Sequence, residues 1–136
     1  MTSKLVLDNI AGRTTAGSIT IVGEGNTTTT NLQQGLTKVW CIYDADNTSI
    51  RDSFNIASIT DNANGRHEFA FSNPMNGADY VCVGTAGISG YHNISTRGEA
   101  FGTVSASAVP IRSTHTNASS DDDDGQTSFS VNGDLG

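Results

Sequence analysis

The chain has 136 residues and a mass of 14.2 kDa, with 35% hydrophobic and 15% charged residues, and its 7 basic and 14 acidic side chains give a formal charge of −7. That length is one domain's worth. The acidic balance opposes attraction to nucleic acid or to an anionic bilayer, and no apolar run approaches the roughly 20 residues that a membrane helix needs.

Residues 1–30 lack the basic start and apolar core of a signal peptide, so no secretory route is expected. Cys41 and Cys82, each inside an apolar run, are too few for a disulfide scaffold or a cysteine-based zinc site, and two core thiols look the same in sequence as one bridge. The polar balance comes from 32 Ser plus Thr, 12 Asn and 15 Gly. Gly is costly inside helices, while Ser, Thr and Asn compete there for backbone hydrogen bonds, so strands and tight turns are expected.

In chain order, residues 1–34 carry two short apolar patches, Leu5-Val6-Leu7 and Ile19-Thr20-Ile21-Val22, followed by the run Thr27-Thr28-Thr29-Thr30. The pattern predicts two short strands joined by loops and an extended threonine segment leading to Leu32. Eleven apolar side chains in 34 residues bury too little surface to offset the ordering of their backbone. This segment is therefore expected either to be a flexible leader or to order against other copies of the chain or another partner, and its Ile and Val patches favour ordering in an assembly.

Val39-Trp40-Cys41-Ile42-Tyr43 reads as a strand, with Asp44-Ala45-Asp46-Asn47 as turn residues after it. Residues 53–60 alternate, with a slip near the middle that marks a bulge or an edge position. Asn64-Gly65 predicts a tight hairpin. Arg66 to Phe71 then returns, and Ala78 to Gly84 gives the next strand, making a three-strand meander with the Trp40 strand as a fourth. Phe54, Phe69, Phe71 and Tyr80 are expected in the core. A strand is expected from Gly98 through about Ile111, broken near Pro110, and a final one over residues 127–132, inside a sheet, with residues 133–136 frayed. Six or seven strands in about 100 residues predict an all-β, antiparallel β-sandwich over residues 35–136, preceded by an extended N-terminal oligomerisation segment over residues 1–34.

Nucleophile-elbow, phosphate-loop, dinucleotide and metalloprotease motifs are absent from the sequence. His67, beside Glu68 on an alternating strand, is expected on a solvated face. His92 and His115 sit in or next to loops. Asp44 with Asp46 and Asp52 with Asp61 are pairs of the kind used in glycosidic acid and base chemistry, but turns recruit Asp for its backbone hydrogen bonds, and this structural use is preferred. Tyr91 and His92, adjacent in a Gly-rich segment, are candidates for a sugar-binding surface. The run Asp121, Asp122, Asp123 and Asp124 is expected as a solvated loop, with calcium as the weaker alternative, because a contiguous run lacks the spaced ligands of a calcium loop, and contact with a basic partner surface as the third.

Ala16-Gly17-Ser18-Ile19-Thr20-Ile21 with Gly23-Glu24-Gly25, Asn31-Leu32-Gln33-Gln34-Gly35-Leu36 leading into Lys38-Val39-Trp40, Arg51-Asp52-Ser53-Phe54-Asn55-Ile56 with Ile59-Thr60-Asp61-Asn62, and finally Ala78-Asp79-Tyr80 carry a family likeness. Together they resemble short structural or tail-fibre-like proteins of bacteriophages, particularly phages of aquatic bacteria, which join an extended N-terminal segment to a β-rich domain. The likeness covers residues 4–85 and leaves out the C-terminal third. It implies a virion component, assembled in the host cytoplasm. Such a component resembles fibre or appendage subunits that form homotrimers, join other virion proteins and meet a bacterial surface glycan; no catalytic residues carry over. A non-enzymatic virion subunit is therefore expected, with a carbohydrate-binding module or a capsid decoration protein as alternatives.

Overall fold

The structure, a computed structural model, describes residues 4–13, 18–23, 25, 27–87, 92–96, 102–115, 120–123 and 125–136. The chain divides into two units, Met1–Leu36 and Thr37–Gly136. It is mostly β, and every strand pairing is antiparallel.

In the first unit, β1 (Thr20–Val22) pairs with β2 (Thr29–Asn31), Ile21 lying opposite Thr30. The ribbon is closed by the Gly23 N–H donating to the Thr28 carbonyl at 2.8 Å, and the single-turn α1 (Leu32–Gly35) follows, its first turn capped by the Asn31 side chain accepting from the Gln34 N–H at 3.1 Å. The expected strand at Leu5-Val6-Leu7 is not formed; the Ile19 patch pairs instead with the end of the threonine run. A hairpin nearby in sequence costs less loop-closure entropy than a pairing with the earlier patch. Leu5 and Val6 are 80% and 73% exposed, and Leu7, Ile10, Ile21 and Val22 are each more than half exposed.

The second unit contains β3 (Thr37–Asp44), β4 (Ser49–Phe54), β5 (Ile56–Ala63), β6 (Arg66–Phe71), β7 (Val81–Ala86), β8 (His92–Ser95), β9 (Ala108–His115), β10 (Ser120–Asp121) and β11 (Thr127–Asn132). One sheet runs β4-β3-β11-β7; in the other, β5-β6-β9 is extended by β8 and β10, both paired with β9. Alternation turns Val39, Cys41, Tyr43, Phe129 and Val131 of the first sheet and Phe69, Phe71, Val109 and Ile111 of the second into one buried cluster. Tyr43 meets Phe69 at 4.7 Å between ring centroids, and Phe69 meets Phe129 at 4.8 Å, both edge to face.

Several expectations change. The slip in residues 53–60 is a corner: β4 ends at Phe54, Asn55 takes φ +62°, and β5 begins at Ile56 in the other sheet. Phe54 is 51% exposed rather than core, because it shares Trp40's face. The three-strand meander is not formed, since the free side of β6 is taken by β9 and β7 crosses to pair with β11. The expected strand beginning at Gly98 starts at Ala108, and Pro110 lies within it. The Phe71 N–H bond to the Ser107 carbonyl and the Ser113 N–H bond to the Gly65 carbonyl set the alternation of that ladder, placing Pro110 opposite Glu68 at a non-bonded pair. Its nitrogen therefore faces away from β6, so the β6–β9 ladder loses no bond to it. Residues 133–136 are not frayed: Leu135 bridges Met75, and the Gly136 N–H donates to the Pro74 carbonyl at 3.1 Å. Among the described residues no helix is long and apolar enough to cross a membrane.

Candidate functional site

The acidic run is built onto the β5–β6 hairpin. Asn64-Gly65 makes its two-residue turn, with Gly65 at φ +66°. A Cβ at Gly65 would lie 2.5 Å from the Asp122 nitrogen and 2.6 Å from the Ser113 carbonyl oxygen, so glycine is required both for its backbone angle and for this approach. The Gly65 N–H donates to Asp123 Oδ1 at 2.6 Å, and Asn64 Nδ2 donates to the Asp121 carbonyl at 2.7 Å. The Asp121 carboxylate accepts from Arg66 Nε on one oxygen and from Arg112 Nε, at 2.5 Å, on the other. Burial pushes Asp121 up, but the hydrogen bonds from Arg112 and Arg66 outweigh it and hold the carboxyl below its ordinary value.

This arrangement replaces the expected solvated loop. Asp121 and Asp123 spend their carboxylates on two guanidiniums and a turn amide, acting as a latch between hairpin and loop. Asp124 lies outside the described residues. Among the described residues, no cluster of three or more His, Cys, Asp or Glu is placed to hold a metal ion.

His67 is the clearest correction at the level of single side chains. It is 1% exposed, because it shares the inward face of β6 with Phe69 and Phe71. Its ring lies edge-on to Tyr43, and its Nε2 is 3.9 Å from Asp123 Oδ1. Ser113 and Thr127 are buried nearby in the ladders, so this end of the core is polar. The fold also joins two histidines that are 23 positions apart in sequence: His92 of β8 stands opposite His115 of β9, with centroids 4.9 Å apart. Tyr91, the proposed sugar-stacking neighbour of His92, lies outside the described residues.

Asp44 ends β3 and Asp46 lies in the turn after it, whereas Asp52 and Asp61 lie within β4 and β5. Asp44 forms an ion pair with Arg51 at 2.9 Å and accepts from the Asn47 N–H, and its carboxyl is held below the ordinary range first by Arg51 and then by Asn47. Arg51 also donates to the Gly125 carbonyl at 2.6 Å, tying the β3–β4 turn to the start of β11. Asp61 accepts from the Thr48 hydroxyl at 3.5 Å. Cys41 and Cys82 are free thiols on β3 and β7, separated by β11, and burial pushes each up to about 12, with Asp52 adding to the effect at Cys41.

The outer face of the β4-β3-β11-β7 sheet carries an arrangement that motif reading missed. In register across the four strands lie Phe54, Trp40, Ser130 and Val83, and beside that row Asp52, Ile42, Ser128 and Thr85. The two serines on β11 are short, so an open trough runs between the Trp40-Ile42 wall and the Val83-Thr85 wall. The outward positions of β3 and β11 alternate cleanly in sequence, but only the strand order reveals that the serines separate the two walls.

No family model matches the chain, and comparison with curated proteins and with solved structures finds no match.

Proposed function

We propose that the chain is a non-enzymatic bacteriophage virion protein, a fibre or appendage subunit whose Thr37–Gly136 unit is a β-sandwich module and whose N-terminal unit is an assembly arm ordered by trimerisation. The observation that carries this reading is the contrast between the two units. The larger one encloses a continuous aromatic and aliphatic core, whereas the smaller leaves Leu5, Val6, Leu7, Ile10, Ile21 and Val22 more than half exposed. A single copy gains little from burying these side chains on its own ribbon of two three-residue strands. Three interleaved copies share that apolar area and satisfy the ribbon's open edges.

The resemblance of residues 4–85 to phage fibre-like proteins supports the same reading. The acidic, hydroxyl-rich exterior suits a module displayed in many copies.

The test is the solution mass of the intact chain, of a form lacking residues 1–36, and of an intact chain carrying Leu5→Asp and Ile21→Asp. A trimer that falls to smaller species in both altered forms is expected. An intact chain that stays monomeric at every concentration, or a trimer indifferent to both changes, overturns the assignment.

A further inference from the structure

We propose that the trough on the outer face of the β4-β3-β11-β7 sheet binds a neutral oligosaccharide of two or three hexopyranose units. The walls and floor carry the two kinds of group that a pyranose needs. Trp40 on the near wall offers an aromatic side chain to the apolar C–H surface of a sugar ring, and Phe54, its neighbour on β4, lies just outside the trough. Ser130 and Ser128 on the floor and Thr85 on the far wall offer hydroxyls that both donate and accept, with Ser128 and Thr85 already 3.2 Å apart.

Size, polarity and charge select this occupant. Four strands at about 4.8 Å spacing and about six residues of strand length give a face of roughly 400 Å². A face of that size accommodates about two or three sugar rings laid along the strands. The centre of a protein interface is apolar, whereas here the central strand presents serines. The chain's net charge of −7, with Asp52 at one end of the second row, repels acidic polysaccharides and leaves neutral ones. The proposal goes beyond the assembly reading and does not depend on it, because every residue it uses belongs to the larger unit.

Trp40 is the chain's single tryptophan, so its fluorescence reports on the trough alone. The intact protein is titrated with cellotetraose and, separately, with chitotetraose. A saturable fluorescence change with at least one of them is expected. Val83→Glu alters a side chain that is 55% exposed and sets a carboxylate on the far wall. Ser130→Val removes a floor hydroxyl while keeping a residue suited to a strand. Each is expected to weaken binding by about tenfold or more with an unchanged melting temperature. No saturable change with either sugar, or equal affinity in wild type and both variants, overturns the proposal. So does a Val83→Glu protein that changes its solution mass while the wild type binds no sugar, which would make the face a contact between copies.

Discussion

At the scale of single residues, three positions decide whether the larger unit closes. Asn55 holds the corner between the sheets: its Oδ1 accepts from the Asn73 N–H at 2.7 Å, and its Nδ2 donates to the carbonyls of Asn73 and Lys38 at 3.0 and 3.2 Å. Asn55→Ala loses these bonds and must hold a left-handed backbone, a cost of about 2–3 kcal/mol. Asn55→Gly keeps the backbone and is expected to cost about 1 kcal/mol less, an order that urea denaturation of the two variants checks. Gly65→Ala combines a positive φ with the close approach of Asp122 and Ser113, so a loss of at least about 2 kcal/mol is expected from the same measurement.

Asp121 makes the latch sensitive to pH. Its folded carboxyl is held below its ordinary value, so its contribution is complete above the unfolded value of about 3.9 and disappears as pH falls through the lower folded value. Asp121→Asn is expected to destabilise the protein by about 1–3 kcal/mol at pH 7, because hydrogen bonds to charged groups are the strong ones. The gap should close as pH is taken below about 3.9, the unfolded carboxyl value. A gap that is the same at pH 7 and pH 2.5 would contradict the two-arginine latch. Residue by residue, Asn64-Gly65 was legible because the dipeptide has a strong turn preference, whereas the acidic run, expected as a solvated loop, begins in β10 with Asp121. Its partners were not legible, because Arg66 and Arg112 reach Asp121 only through the β6–β9 pairing.

At the scale of elements, alternation located β3, β6 and β11 because each has one face inside and one outside, and period two survives in their sequences. It failed at His67, where a titratable residue on the inward face resembled a solvated one. It also failed at the meander, because a loop of moderate length serves equally well to return to a neighbour or to cross between sheets. The position of β11 between β3 and β7 has a chemical consequence: it keeps Cys41 and Cys82 from bridging. With both thiols near 12 when folded and about 8.5 when unfolded, alkylation by iodoacetamide at pH 8 should be slow and should accelerate sharply in denaturant. The same shift makes stability complete below about 8.5 and declining as pH rises towards 12. Rapid alkylation of the folded chain would contradict the raised thiols, and a faster-migrating band without reductant would contradict their separation.

At the scale of the whole molecule, the sparse apolar content of residues 1–34 was legible from composition, while the pairing inside that segment was not, since threonine-rich runs fit either side of a ribbon. On the proposed assembly reading, the arm has no stable structure of its own and gains it from neighbouring copies. Amide hydrogen exchange of residues 4–36, followed across a dilution series that takes the protein from assembled to monomeric, tests this most directly. Protection of the β1–β2 ribbon at high concentration that collapses on dilution, while β3, β6, β9 and β11 remain protected throughout, is the expected result. Slow exchange of the ribbon in the dilute monomer would contradict the claim.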